Sequence, residues 1–236
     1  MNRFLTAEWR NLAVATFETD KKILEKYLPN NTEVNDCNGK YFMSLVGFMF
    51  SNPAFFGIKV PYLKGFEEMN LRFYVKHKIK NGWRNGVVFI KEIAPSIIIG
   101  QIAKLLYHEN FIALPMKHSF TITAEEQSTE YQWKINKKWN FFKLKTSISP
   151  LYTELNSIEA FIKNHYWGYT KVNSEETLEF EIKHISWNIF PSTSFELEID
   201  AEMLYGKELA SFFYQNPLCC FLMDGSSTEI SRPGLL

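Results

Sequence analysis

Residues 65–77 read "GFEEMNLRFYVKH", and the face that this stretch turns inward decides the architecture. Glu68, Asn70 and Arg72 sit two apart, and so do Met69, Leu71 and Phe73. Side chains alternate faces along a strand, so the polar trio shares one side and the apolar trio the other. Two arrangements satisfy that pattern. In an ordinary antiparallel sheet the apolar face is the core and the polar face is wet, which is the commoner case. In a curled or closed sheet the polar face lines a cavity, and the apolar face packs under other elements.

The surrounding sequence is rich in strand signals. Leu12–Phe17 reads as a first strand. Asp20 then caps a short helix with Ile23, Leu24, Tyr27 and Leu28 at helical spacing, stopped by Pro29. "YFMSLVGFMF" (41–50) is apolar on both faces, as a central strand is. "NGWRNG" (81–86) reads as a turn from which "VVFIKEI" (87–93) returns. The later part of Ser96–His108 is predicted to be helical. "SFTITA", "TEYQWKI" and "WNFFKLKTSI" form a run of hairpins, and Asn156 with Glu159 makes a capping box for the helix in "SIEAFIKNHYW". "TLEFEIKHI" and "SFELEID" alternate strictly, and "PLCCFLM" is an apolar last strand. About ten strands and three helices point to a mainly β, α+β chain built as an antiparallel barrel or sandwich. No repeat, linker or low-complexity segment divides residues 1–236, so a single domain is expected.

Composition narrows the function classes. Hydrophobic residues make up 46% and charged residues 22%, the balance of a globular chain. Lys plus Arg and Asp plus Glu both number 26, and a formal charge of zero argues against bulk attraction to nucleic acid or an anionic membrane. The opening residues contain no signal-peptide apolar run, and no stretch reaches the roughly 18 apolar residues of a spanning helix. Cys37, Cys219 and Cys220 form neither a disulfide framework nor a metal spacing, so a reduced, cytoplasmic location is expected. Cys219 and Cys220 read as small hydrophobes in an apolar run. Neither a metal nor a cofactor is called for; a homo-oligomer stays open.

Catalytic spacings of the familiar kinds are missing: there is no Gly-rich phosphate loop, no nucleophile elbow and no zinc-binding His-Glu-x-x-His. Four features remain. Arg72 can pair with Glu68 or present its fork to a carboxylate. His184 shares a strand face with Phe180 and Ile182, where a satisfied core histidine is commoner than an acid–base one. Lys117, in "ALPMKHSF", would become a nucleophile only if desolvated; a surface lysine is the ordinary alternative. The hairpin "WKINKKWNFFKLK" interleaves basic and aromatic residues, as single-stranded nucleic-acid sites do, but Lys137 and Lys138 fall in its turn and neighbouring acids cancel the charge.

The order of several segments resembles the YqjF-like family of bacterial proteins, a family of unknown function. They are "TAEWRNLAVATFETDKKILEKYLPNN", "GFEEMNLRFYV", "GVVFI", "ALP", "SIEAFIKNHYWGYT" and "FEIKHISWNIFPS". The likeness runs from about Thr6 to about Ser192, and the residues beyond match poorly. Its most specific pieces are the Glu-x-Asn-x-Arg strand and the His-x-x-Trp strand. The family is grouped by fold with acetoacetate decarboxylase, a β-cone with an internal pocket, so the resemblance implies such a cone with a few peripheral helices. It further implies that Glu68, Asn70 and Arg72 look into the cavity, that Met69, Leu71 and Phe73 pack outward, and that His184 and Trp187 approach the same pocket. Those decarboxylases form a Schiff base on a lysine directly after a proline. Here Met116 follows Pro115, and Lys117 matches only the neighbouring lysine. Arg10 matches the arginine that meets the substrate carboxylate, and one glutamate of the enzymes falls near Ser44.

The expectation is therefore a small-molecule protein without the Schiff-base lysine, binding a small anionic organic ligand. Arg10 and Arg72 would supply positive charge, Glu68 would orient Arg72 or act as base, His184 would carry protons, and Ser44, Asn70 and Trp187 would touch the ligand. The alternatives are a lyase or hydrolase acting on a small organic acid with Lys117 as its amine, and a non-catalytic carrier of an apolar compound.

Overall fold

The computed structural model describes residues 4–60, 65–154 and 156–236. The strands are β1 (Leu5–Thr19), β2 (Thr32–Val34), β3 (Tyr41–Phe55), β4 (Ile58–Lys59), β5 (Gly65–Ile79), β6 (Gly82–Ala94), β7 (Phe111–Ala113), β8 (Met116–Ile122), β9 (Glu126–Ile135), β10 (Lys138–Ser147), β11 (Trp167–Lys171), β12 (Thr177–His184), β13 (Ile189–Glu198), β14 (Cys219–Ile230) and β15 (Gly234–Leu235). The helices are α1 (Lys21–Leu24), α2 (Ile97–Tyr107), α3 (Ile158–Lys163) and α4 (Ala201–Ala210). The strands beyond the expected ten are mostly pieces of two or three residues, too short to leave a period in the sequence. The helix missing from the sequence reading is α4. It starts at an Asp200 cap and is kinked at Gly206, whose φ of 80° no α-helix contains.

Two local expectations change. The turn after β5 is only Lys80–Asn81, so most of "NGWRNG" belongs to β6, with Ile79 opposite Gly82. Ser157, not Asn156, caps α3, its side chain accepting from Ala160 N–H. The Asp20 cap of α1 is present, accepting from Lys22 N–H.

The strands form one curled sheet in the order β15-β12-β11-β6-β5-β3-β1-β14-β13-β10-β9-β8. Pairing is antiparallel except where β6 meets β7 and β11. A short β12–β14 pairing, Ile182 opposite Ile230 through His184 opposite Thr228, brings the run from β12 to β14 round on itself. The result is a cone-like surface with an inner and an outer face. The tail β13-β10-β9-β8 folds back over the outer face.

Both faces of β5 are consequently buried. Met69, Leu71 and Phe73 are each 0% exposed and pack on the outer side with Tyr131, Trp133, Phe142 and Leu144 of the folded-back strands and Leu204 and Leu209 of α4. Asn70 and Arg72, at 2% and 8%, point into the cone. Covering the apolar face is what frees the polar face to look inward: a sheet with one wet side would have placed these residues in solvent.

Three β-bulges set which residues reach the inside. In β3 the pairing slips so that Thr6 faces Ala54 but Glu8 faces Ser51, and Asn52 adopts φ 51°. In β1 the pairing with β3 slips between Arg10 and Ala13, where Asn11 adopts φ 53°. Leu5, Ala7 and Trp9 point inward before the slip, and Leu12 and Val14 after it. In β6 the pairing with β5 slips so that Arg72 faces Phe89 but Leu71 faces Lys91, leaving Ile90 over. Glu92 thereby lands opposite Asn70 and inside the cone, whereas unbroken alternation from Phe89 would have put Lys91 there.

Candidate functional site

Inside the cone is a cavity of about 310 Å³. Its walls are mainly aromatic and aliphatic, with Trp9, Phe48, Phe66, Phe89, Phe111 and Phe180 prominent. Its polar groups are Glu68 and Asn70 of β5, Glu92 of β6 and Glu109 from the turn between α2 and β7. That turn is fixed to the β6 bulge. Asn110 Nδ2 donates to the carbonyl of the bulged Ile90 at 2.9 Å, and Glu92 N–H donates to the carbonyl of Asn110 at 2.9 Å. His108, at φ 55°, reverses the chain so that Glu109 follows directly onto the site.

The three carboxyls form a row of neighbours, Glu92 lying between Glu68 and Glu109 and influencing both. Burial is the largest influence on each. Burial and the neighbouring Glu92 hold Glu68 well above the usual carboxylate range, and burial and Glu109 do the same for Glu92. Glu109 is pushed up to about 7 by burial, with Glu68 adding to the effect. The Oδ1 of Asn70 and the Oε2 of Glu92 are buried without a hydrogen-bond donor.

Arg72 lies past Trp9 and Ile182, which line both this cavity and a second hollow of about 10 Å³ around Arg72, Lys163, His165, His184 and Trp187. That volume is about one water. His184 stacks on Trp187 with ring centroids 3.7 Å apart and planes 13° apart, and its Nδ1–H donates to the carbonyl of Ile185 at 2.7 Å. Burial lowers its pKa. Trp187 Nε1 donates to Ser226 Oγ at 2.8 Å. His165 is pushed down to about 3, chiefly by burial and also by the Arg72 charge. Its Nδ1–H donates to the carbonyl of Phe161 at 2.7 Å.

Of the residues singled out in the sequence, the structure brings Glu68 and Asn70 to the cavity, and Arg72, His184 and Trp187 to the adjoining hollow. It does not bring three others. Arg10 is exposed, its Nε 3.3 Å from Glu8 and its Nη1 donating to the carbonyl of Gly225 at 3.1 Å, because it alternates with the inward Trp9. Lys117 lies exposed on β8, with Nζ 4.3 Å from the centroid of the Trp139 ring, and is not among the residues that line either hollow. Ser44 is 0% exposed but lines neither hollow; it bonds Thr16 at 2.8 Å and the Tyr74 hydroxyl at 2.6 Å. Conversely, Glu92 and Glu109 escaped the sequence reading. The bulge hides the first, and the second sits in a turn with no period to read. The Asn70–Glu92 pairing was the signal, and it depends on a hairpin register that a six-residue turn misplaces.

Acetoacetate decarboxylase from Legionella pneumophila superposes with a TM-score of 0.66 at 11% identity, covering 100% of this chain and 90% of that one. An acetoacetate decarboxylase-like enzyme from Sphingomonas wittichii RW1 gives 0.66 at 11%, over 100% and 94%. The enduracididine biosynthesis enzyme MppR, complexed with pyruvate, gives 0.68 at 10%, over 100% and 91%. At these identities the likeness is one of fold: the chain has an acetoacetate decarboxylase-like fold, mostly β. Among the described residues no helix is long and apolar enough to cross a membrane. The chain is 26% identical over 181 residues to the uncharacterized protein YqjF of Bacillus subtilis strain 168, covering 76% of this chain and 72% of that protein. The family DUF2071, described as an uncharacterized conserved protein, matches residues 6–226, so the likeness continues past Ser192 through most of β14. This chain belongs to the DUF2071 family.

Proposed function

We propose that the protein binds a small, largely apolar organic molecule inside the cone, its polar end held by Glu68, Asn70, Glu92 and Glu109. The observation that carries this reading is the aromatic cavity of about 310 Å³ with two unpartnered buried oxygens at one side. Apolar walls with a few convergent polar groups are the usual make-up of a small-molecule site, and the volume sits near the lower end, about 300 Å³, of such pockets. Schiff-base chemistry has no support, since Met116 stands after Pro115 and Lys117 lies outside. An anionic ligand loses the expected help of Arg10, and Arg72 adjoins the chamber without lining it.

A second reading is acid–base turnover of the bound molecule, favoured by one observation: Glu109 is held at about 7, where a carboxyl both gives and takes a proton near neutral pH. Binding comes first in either case. N-phenyl-1-naphthylamine, a neutral dye that brightens in apolar surroundings, should bind one equivalent. Ile182→Trp, which fills the chamber from β12, should weaken it by about tenfold or more. Dye binding that ignores this substitution would place the site elsewhere.

A further inference from the structure

We propose that the molecule taken up by the cone is an organic amine, its ammonium group held by the chain Glu68–Glu92–Glu109 and by Asn70 Oδ1, its apolar body against the aromatic walls. This rests on the binding reading above and adds the chemical class of the ligand. The carboxyl chain alone would not carry it. The independent observation is Asn70, 2% exposed on the cavity wall, whose Oδ1 has no partner. That oxygen can only accept. With it goes Glu92 Oε2, equally unpartnered. Both atoms are closed to water as the cavity stands, so an occupant that reaches them must bring N–H or O–H donors.

Charge selects the nitrogen. Three neighbouring buried carboxyls resist ionising together, since burial and mutual repulsion act on each, and any negative charge the row does carry is held away from water. Among the described residues no lysine or arginine lines the chamber to balance that charge. An ammonium would balance it and would supply up to three donors. The walls agree: Trp9, Phe48, Phe66 and Phe89 are aromatic, and a ring attracts a desolvated cation that lies over its face. A carboxylate would meet like charge and would leave Asn70 Oδ1 bare. The orphaned donor in the wall, Trp9 Nε1, is uncharged and belongs to a residue shared with the hollow around Arg72.

Among the described residues, the titratable and charged groups facing the carboxyls are Arg72 from the same strand as Glu68, whose ionised form it favours, and Tyr107 from the end of α2, whose hydroxyl is held protonated by burial. The described lining residues on β1, β3, β12 and β14 carry no ionisable side chain. The ammonium therefore displaces protons from the carboxyl chain, and its binding tightens as pH rises through neutrality.

Calorimetric titration of the full chain at pH 8 with n-hexylammonium, n-hexanol and hexanoate tests this. Hexylammonium should bind about tenfold or more tighter than hexanol, and hexanoate weaker than either. Glu109→Gln should erase most of the preference for the amine, read as the ratio of hexylammonium affinity to hexanol affinity in the variant against the same ratio in the wild type. Should Glu109→Gln fail to fold, proton release measured in two buffers on the wild-type chain serves instead, with net release expected for hexylammonium and none for hexanol. Hexylammonium no tighter than hexanol, or hexanoate tightest, overturns the amine while leaving a cavity that binds. None of the three binding overturns the cavity reading itself.

Discussion

Glu109 and His165 carry opposite pH signatures at the scale of single residues. Glu109 is raised from 4.5 to about 7 in the folded chain. Between those values the unfolded chain has released this proton and the folded chain has kept it, so stability falls as pH rises. His165 is lowered from 6.5 to about 3. There the unfolded chain binds a proton that the folded chain refuses, so stability falls as pH drops below 6.5. The two slopes oppose each other between pH 4.5 and 6.5, and a wild-type curve alone hides both. Difference curves separate them. Glu109→Gln has no proton to release, so its melting temperature should gain on the wild type from pH 4.5 to 7 and stay level above. Allowing for solvent near this partly exposed residue, the gain is about 1 kcal/mol, or roughly 2–4 °C for a chain of this size. A flat difference would mean that Glu109 ionises as freely in the folded protein as in the unfolded one. Unbroken alternation put Glu68, Asn70 and Arg72 on one face, and only the family resemblance turned that face inward. Arg10 came from a motif match, which carries no face, and the neighbours of Lys117 left both a desolvated and a surface amine open.

Elements explain most of what the sequence left hidden. The runs of β3, β5, β9, β10 and β12 were legible from period and turn residues, whereas the bulges were not, since an extra residue in a strand has no compositional mark of its own. The bulges in β6 and β1 each have a structural keeper. At β6 it is Asn110, whose side chain satisfies the carbonyl of Ile90. Asn110→Ala leaves that carbonyl unpaired and frees the turn bearing Glu109. Urea unfolding should show a loss of about 1–2 kcal/mol, and amide exchange at Glu92 should accelerate, because its N–H bonds the same turn. Unchanged exchange at Glu92 would detach the turn from the bulge. At β1 the keeper is Gly225, opposite Arg10 in the β14 pairing. Its φ is 79°, and a Cβ there would stand 1.9 Å from the carbonyl oxygen of Trp9. Backbone strain and a backbone clash add, so Gly225→Ala should cost at least about 2 kcal/mol in the same assay. A milder loss would show that β1 and β14 can part there without disturbing Trp9.

At the scale of the molecule, the cone has two interiors of different kinds, and substitution can tell them apart. The outer layer, between the cone and the folded-back β8–β10 and β13, is filled: Phe142 is 0% exposed and packs among Tyr131, Trp133 and Leu144. The inner chamber is bounded by side chains that touch neighbours on one side and open volume on the other. Phe66 is nearly as buried, at 6%, yet it lines the cavity. A ring facing a void has no contact atoms on that side to lose. Removing Phe142 opens a new cavity in a packed layer and should cost about 3–5 kcal/mol. Removing Phe66 enlarges a cavity already present and should cost about half as much, because much of the transfer term remains and little of the cavity term does. The comparison bears directly on function, since the sequence, with 21 Phe among 236 residues, fits a packed cone as well as a hollow one. Equal losses for Phe66→Ala and Phe142→Ala in chemical denaturation would mean that the inner chamber is packed as tightly as the outer layer. A site for a small molecule would then have to be sought outside the cone.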